Sequence, residues 1–394
     1  MDNFPFARRT NWRQEANSLN KALEDLAKRG VEILDLTASN PTSGGFAYPE
    51  GMLAALNFLE NLHYYPDACG MDKARQAVSK YYTRQNLILP ASGIVLTAST
   101  SEAYSFLMRL LVNPGEKVLI PKPSYPLFQF LLEINDVHFD YYPLYYDGQK
   151  WRLDKQTLER LVESAKPKAI ILVNPNNPTG SYISRAELNF LNEICRKRQV
   201  AIISDEVFFD YALNPGDAVS CTGNREVLTF VLGGVSKTLG LPQMKCAWIL
   251  ASGPQAVLQE SLSRLEIIAD TYLSVNTPVQ NALSVWLEHA ASIQGQIISR
   301  VKENAQWLST RLKEHTPSTS LLSLQGGWYA TLRLPAIKSE EEWVLEFLRE
   351  DHVSVYPGYF FDFEGGAYIV LSLLPPASIF QEAVGRILQR LAKI

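Results

Sequence analysis

Histidine and cysteine are scarce in this 394-residue chain, with five and four residues. His63, His138, His289, His315 and His352 are scattered, and no two stand at metal-ligand spacing, so no metal site is expected. Cys69, Cys195, Cys221 and Cys246 form no CxxC pattern, which excludes the common metal-knuckle and redox motifs. Four reduced thiols in a cytoplasmic protein are expected. No apolar run approaches the roughly 20 residues that cross a bilayer. The opening MDNFPFARRTNWRQEANSLN lacks the apolar centre of a secretory signal. Basic residues are not in excess: 37 Lys and Arg stand against 41 Asp and Glu, a net charge of −4. Neither a membrane nor a nucleic-acid partner is expected.

What the chain has is ordered alternation. Its length exceeds what one core usually supports, so two lobes are expected. Between 94 and 251 lie IVLT (94–97), KVLI (117–120), AIILV (169–173), VAIIS (200–204), VLTFV (227–231) and AWILA (247–251). Apolar runs without polar alternation suit strands covered on both faces. Helix-like stretches at 101–112, 125–135, 154–165 and 184–198 separate several of them, which implies an α/β layer fold with a mainly parallel sheet. Beyond 252 the pattern changes. Segments 254–268 and 276–316 read as helices, the second as one long amphipathic run. GGWYATLRLP, a helix near 339–350, VSVYP, AYIVLSL and a closing helix from about 376 follow, a smaller α+β lobe on which the N-terminal arm is expected to pack.

Ligands of such sheets sit at the carboxyl ends of the strands. Five polar segments fall there. Ala98-Ser99-Thr100-Ser101 opens a helix and offers an anion site, though alone it is an ordinary cap. Pro121-Lys122-Pro123-Ser124-Tyr125-Pro126 holds a tyrosine between prolines, able to present a flat face to a heteroaromatic ring or simply to pack in a loop. Asn174-Pro175-Asn176-Asn177-Pro178-Thr179-Gly180 forces an extended turn with amides to donate. Asp205-Glu206 places carboxylates at a buried strand end, where a pyridinium nitrogen would partner one. Gly233-Gly234-Val235-Ser236-Lys237-Thr238-Leu239-Gly240 sets an amine in a cleared loop, where burial favours its nucleophilic neutral form.

NPNNPTG, SDE and SKTLG in that order resemble the class I/II aminotransferases of the fold-type I pyridoxal-phosphate family, over nearly the whole length. The resemblance implies a large domain with a mainly parallel seven-stranded sheet between helices, plus a smaller α+β domain. It divides the chain into an arm with part of the small domain (1–45), a cofactor domain (46–279) and a C-terminal domain (280–394). It implies that Lys237 joins pyridoxal 5′-phosphate as a Schiff base and serves as general base and acid. Asp205 would hold the pyridine nitrogen, Asn177 the 3′-oxygen, and Tyr125 would stack on the ring. Thr100, Ser101 and Ser236 would bind phosphate. Tyr65, rather than Tyr64, would reach the neighbouring subunit's phosphate, which implies a homodimer with shared active sites. LDLTASNPTSGGF resembles the loop that closes over substrate and puts Ser39 and Asn40 near it.

Three positions depart from the family pattern. Phe208 stands where a tyrosine is usual, which removes a phenol donor and predicts a higher Schiff-base pKa. Lys245 stands where an arginine usually binds phosphate, giving charge without a bidentate fork. Val370, in Tyr368-Ile369-Val370-Leu371-Ser372-Leu373, stands where an arginine usually grips the substrate carboxylate. Arg8, Arg9 and Arg13 are candidate replacements, with solvated arm charges as the plainer reading; backbone amides and Asn177 could share the task. Pro357-Gly358-Tyr359-Phe360-Phe361-Asp362-Phe363 could form an aromatic wall, which makes Tyr359 a candidate substrate contact. The expected activity is amino transfer between an amino acid and a 2-oxo acid. A lyase, decarboxylase or racemase using the same cofactor is the alternative. A non-catalytic sensor domain is the third reading, disfavoured because no helix-turn-helix module precedes the fold.

Overall fold

The computed structural model describes residues 4–12, 17–273, 275–315 and 318–393. All six apolar runs are strands, and they form one sheet. Its order is Ile94–Thr97, Ala247–Ser252, Thr229–Gly234, Ala201–Asp205, Ala169–Val173, Lys117–Lys122, His138–Tyr146, Trp151–Leu153. Four pairings are parallel, and three are antiparallel, at the two margins. The central strands AIILV and TFVLGG are buried at every residue, as a sheet covered on both faces requires.

The sheet has eight strands, one more than the family resemblance implies. The two at one margin, HFDYYPLYY and WRL, form a hairpin in which Leu144 pairs with Leu153. Tyr-rich and largely half-exposed, the longer one lacks the continuous Val/Ile/Leu signature and holds a proline, which suits a margin.

The segment read as one helix over 276–316 is two, Thr277–Glu288 and Ala290–His315, parted at His289. The first packs on Asp72–Thr83 beside the large sheet. The second packs on the closing helix Ala377–Leu391 in the small lobe. One amphipathic pattern therefore serves two partners, and the chain turns where it passes between them. A four-stranded sheet, ordered Ser320–Leu321, Tyr329–Leu334, Ala367–Ser372, Tyr356–Pro357, forms the small lobe. A parallel pair joins Leu34–Asp35 to Val353–Ser354.

The N-terminal segment divides between the lobes, which corrects the expectation that the whole arm packs on the smaller one. Helix Ser18–Lys28 lies on helix Glu340–Asp351, and Ser18 bonds Glu341. Residues 8–12 lie instead on the large lobe. Arg9 pairs with Asp136, the Trp12 indole donates to Glu133, and its ring meets Phe130 edge-on at 5.3 Å.

Candidate active site

The lysine is delivered by a strand that tolerates no side chain at its end. A Cβ at Gly233 would lie 2.4 Å from Trp248 Nε1, and one at Gly234 would lie 2.9 Å from Ala247 Cβ. The chain then turns into the short helix Val235–Thr238. The Tyr211 phenol donates to the Lys237 carbonyl oxygen and fixes its backbone. The Lys237 amine points into an aromatic corner, 4.8 Å from the Trp328 ring centre and 5.2 Å from that of Phe208. Burial lowers its pKa to about 8, while the Asp205 charge acts in the opposite sense.

Asp205 ends the adjoining strand. Its carboxylate accepts from the Tyr104 phenol at 3.2 Å and from Val207 N at 3.2 Å. Burial nevertheless raises its pKa to about 6, with Lys237 pulling it down. No direct ion pair joins the two described side chains; they act on each other across a gap. Glu206 differs although it is adjacent. Ser220 Oγ, Cys221 N, Ser204 Oγ and Asn174 Nδ2 all donate to it, so its hydrogen-bonding capacity is committed to the fold. Of the two acids, Asp205 is the one left facing the amine.

The NPNNPTG turn separates its amides by task. Asn174 accepts from Ile183 N and donates to Val219 O. Asn176 accepts from Thr179 and donates to Pro123 O. Asn177 is buried, and its side-chain oxygen has no hydrogen-bond partner among the described residues. It is the amide of the turn that the turn itself does not use. Gly180 closes the turn at φ +68°, where a Cβ would also strike Leu324 and the Gly326 carbonyl at 2.5 and 2.6 Å.

The other expected residues fall as follows. Thr100 and Ser101 open helix Thr100–Leu111; Ser99 Oγ caps it through Glu102 N, so neither hydroxyl is used in the cap. Ser236 lies in the lysine's own first turn. Tyr125 is partly exposed, and burial together with the Asp205 charge raises its pKa to about 12, which places its phenol on the acid's side of the site. Lys245 is exposed, in a left-handed backbone conformation at φ +50°. Tyr65 and Tyr64 are exposed on the surface, and Tyr65 lines a cleft of about 900 Å³ with Arg75 and Ile267. Ser39 bonds the Tyr329 phenol, and Asn40 caps a short turn through Thr42 N.

At the substrate end the structure places the expected residues as follows. Phe361 and Phe363 do not wall the pocket; they pack in a buried cluster with Trp151, Leu322 and Val370. Tyr359, beside them, is 42 % exposed, with its backbone N–H held by Glu340. Arg9 is committed to Asp136 and Arg8 is exposed on a short turn away from any site residue's bonding, so neither replaces the absent arginine; Arg13 lies outside the described residues. In their place the small lobe supplies residues that strand-end reasoning missed: Trp328 beside the lysine, then Tyr329 and Tyr356. Tyr329 sits 6.3 Å from Phe208, ring to ring, and its phenol feels those of Tyr356 and Tyr125. GGWY was a usable signal: a Cβ at Gly326 would strike Tyr182 at 2.6 Å, and Gly327 takes φ +82°, so the pair marks a close approach and a turn before two large aromatics. Tyr104 was also missed, although it follows Thr100 by one helical turn and so shares its face.

A buried amine and a buried acid thus stand at adjacent strand ends, with a buried amide oxygen of the neighbouring turn left without a partner among the described residues. The chain belongs to the aminotransferase class I and II family, whose model matches residues 31–379. It is an aminotransferase, moving an amino group between an amino acid and a 2-oxo acid. It is 27 % identical over 378 residues to the glutamate-pyruvate aminotransferase AlaA of Haemophilus influenzae, covering 92 % of this chain and 91 % of that one. It is 27 % identical to the alanine aminotransferase of Mycobacterium tuberculosis, with coverages of 92 % and 86 %. The solved alanine aminotransferase of Pyrococcus furiosus superimposes with a TM-score of 0.89 at 24 % identity, covering 99 % of this chain and all of that one.

Proposed function

We propose that this chain performs amino transfer with pyridoxal 5′-phosphate bound at Lys237, as part of a homodimer. The observation that carries the reading is the Lys237 amine facing Asp205 across a gap, beside the unpaired Asn177 amide. These residues fit the group. Lys237 would hold its aldehyde carbon, Asp205 its ring nitrogen, Asn177 its ring oxygen and Tyr125 its ring face. Thr100, Ser101, Ser236 and Lys245 would hold its phosphate, with the helix end adding its dipole. When bound, the group supplies an electron-withdrawing ring that stabilises negative charge at the substrate's reacting carbon.

The chain's own residues supply the rest. Burial keeps a substantial share of Lys237 neutral near pH 8, so its nitrogen can attack a carbonyl and later take or give a proton at the substrate Cα. Trp328 and Phe208 keep water from that nitrogen. Asp205, anchored by Tyr104 and Val207, holds a negative charge where a protonated ring nitrogen would lie.

Exposed Leu53, Leu59, Leu62, Tyr64, Tyr65 and Ile267 support the homodimer, with Tyr65 reaching toward the second copy's site. The pairing of Leu34–Asp35 with Val353–Ser354 supports the arm's share in the small domain, whereas helix Thr277–Glu288 runs unbroken past 279 and packs on the large lobe, so the break at His289 favours a later second boundary than 279. Among the described residues no helix is long and apolar enough to cross a membrane. Four unpaired cysteines support a reducing, cytoplasmic setting.

The test is the half-reaction. Holoenzyme is mixed with a panel of amino acids, and the cofactor's visible band is followed. At least one donor should bleach it and yield the 2-oxo acid. A panel in which none does so sinks the reading. Alanine and glutamate head the panel, because relatives are named for alanine and for glutamate and pyruvate.

A further inference from the structure

The small-lobe strand Ala367–Ser372 presents Val370 where a carboxylate-gripping cation would be useful. Val370 is wholly buried and packs among Trp151, Phe361 and Phe363. In register it faces Thr331 on one side and Tyr356 on the other, so all three side chains emerge on one sheet face. That face looks toward the large lobe's amide turn: the Thr331 hydroxyl donates to Pro178 O at 3.4 Å. Tyr329, two residues before Thr331, lies on the same face and bonds Ser39, while Tyr356 bonds Thr37. Tyr125 stands on the large lobe edge-on to Phe128, whose ring also meets Tyr104, the phenol that donates to Asp205, and Tyr329 lies 6.3 Å, ring to ring, from Phe208 beside the lysine amine.

Among the described residues, three cations of the neighbouring elements have partners of their own. Lys122 pairs with Glu364 at 2.7 Å, and Arg152 pairs with Asp147. Arg300 donates to the carbonyls of Gly44 and Leu374 and lies over the Phe46 ring. The groups that converge are neutral donors. Burial raises all three phenols above their usual range, so they keep their protons and can donate at any working pH.

We propose that the Tyr125, Tyr329 and Tyr356 hydroxyls, with the Ser39 hydroxyl and the Asn177 amide, form the subsite that receives the substrate's α-carboxylate, by hydrogen bonds from neutral groups and without an arginine. The proposal rests on the aminotransferase reading for the identity of that carboxylate. Hydrogen bonds from neutral donors to an anion are shorter and stronger than neutral pairs, and two or three can hold one carboxylate. They lack the long-range pull of a full charge, so binding should respond little to salt, while donors that find an acceptor on both carboxylate oxygens but on only one side of a carboxamide should favour the carboxylate.

The test is equilibrium binding to the holoenzyme of two unreactive probes, butanoate and butanamide, read by ligand-observed NMR. Butanoate should bind the wild type more tightly than butanamide, and tenfold more salt should weaken butanoate by less than about twofold. Tyr329→Phe and Tyr356→Phe should each weaken butanoate by roughly tenfold, the loss of one donor to a charged acceptor. Ser39→Ala, a loop change that leaves the core untouched, should weaken it severalfold by releasing Tyr329. Borohydride labelling of Lys237 should persist in all three, which shows that the fold and the lysine site stand. Butanoate binding that is unchanged in these variants, absent in the wild type, or cut tenfold by salt overturns the proposal. Failure of every amino acid to bleach the cofactor would defeat the reaction reading instead, and the probe measurements would still decide whether these phenols bind a carboxylate.

Discussion

The Tyr211 phenol donates to the carbonyl oxygen of Lys237, the residue proposed to hold the cofactor. The same ring packs edge-on to Trp328 at 5.0 Å, and Trp328 flanks the lysine amine. One tyrosine thus fixes the lysine's backbone and one wall of its side chain. In Tyr211→Phe the wall remains and the buried carbonyl loses its donor. The loss should destabilise the protein by about 1–3 kcal/mol. Urea unfolding measures it, and an unchanged midpoint would show that the bond is idle.

Asp205 trades stability for function. Burial lifts its pKa from the usual carboxylate range to about 6. The folded state therefore binds more protons than the unfolded state between about pH 4 and 6, and stability falls as pH rises through that window. Asp205→Asn removes the penalty. Without cofactor, the variant should exceed wild type by roughly 3 kcal/mol at pH 7.5, and the difference should close toward pH 4. It should also bind pyridoxal 5′-phosphate far more weakly. Denaturant titrations at the two pH values decide the matter; equal stabilities at pH 7.5 would mean that the acid is not penalised by burial.

Phe208 bears on the colour of the holoenzyme. A tyrosine hydroxyl there would donate to the ring oxygen and favour its anionic form. The pH at which the visible absorbance changes should therefore fall by about one unit or more in Phe208→Tyr. Spectrophotometric titration of both proteins checks this, and coincident curves would place the ring edge elsewhere.

Gly233 is constrained by distance alone, since its added Cβ would meet Trp248 Nε1 at 2.4 Å and the Tyr82 hydroxyl at 2.6 Å. Trp248 and Tyr82 are both buried and bond each other at 3.1 Å, so neither can yield cheaply. Gly233→Ala should cost about 1–3 kcal/mol or more and lower the melting temperature by several degrees. A melting curve superimposable on wild type would contradict the close packing.

The parallel sheet was legible because its inner strands are apolar on both faces and short enough to count. The margin hairpin was not, because HFDYYPLYY is half-exposed and interrupted by Pro143. Within the site, Lys237, Asp205 and Asn177 could be singled out because Asp205 ends its strand and the other two follow theirs within one short loop. Trp328, Tyr329 and Tyr356 could not, because they belong to the other lobe and reach the site only through how the lobes meet. The departure at Val370 was visible as a residue identity. Its burial among aromatics, and the phenols that share its sheet face, needed three dimensions.

Strand order has a consequence for biosynthesis. Strand Ile94–Thr97, which launches the helix bearing Thr100 and Ser101, has one neighbour in the sheet, Ala247–Ser252. That neighbour is the last strand of the sheet to leave the ribosome. A nascent chain halted before it would hold its first apolar strand unpaired, and the start of helix Thr100–Leu111 would have no fixed place. The chain should therefore depend on chaperones early in translation and acquire its cofactor late, after the small lobe's aromatics have emerged.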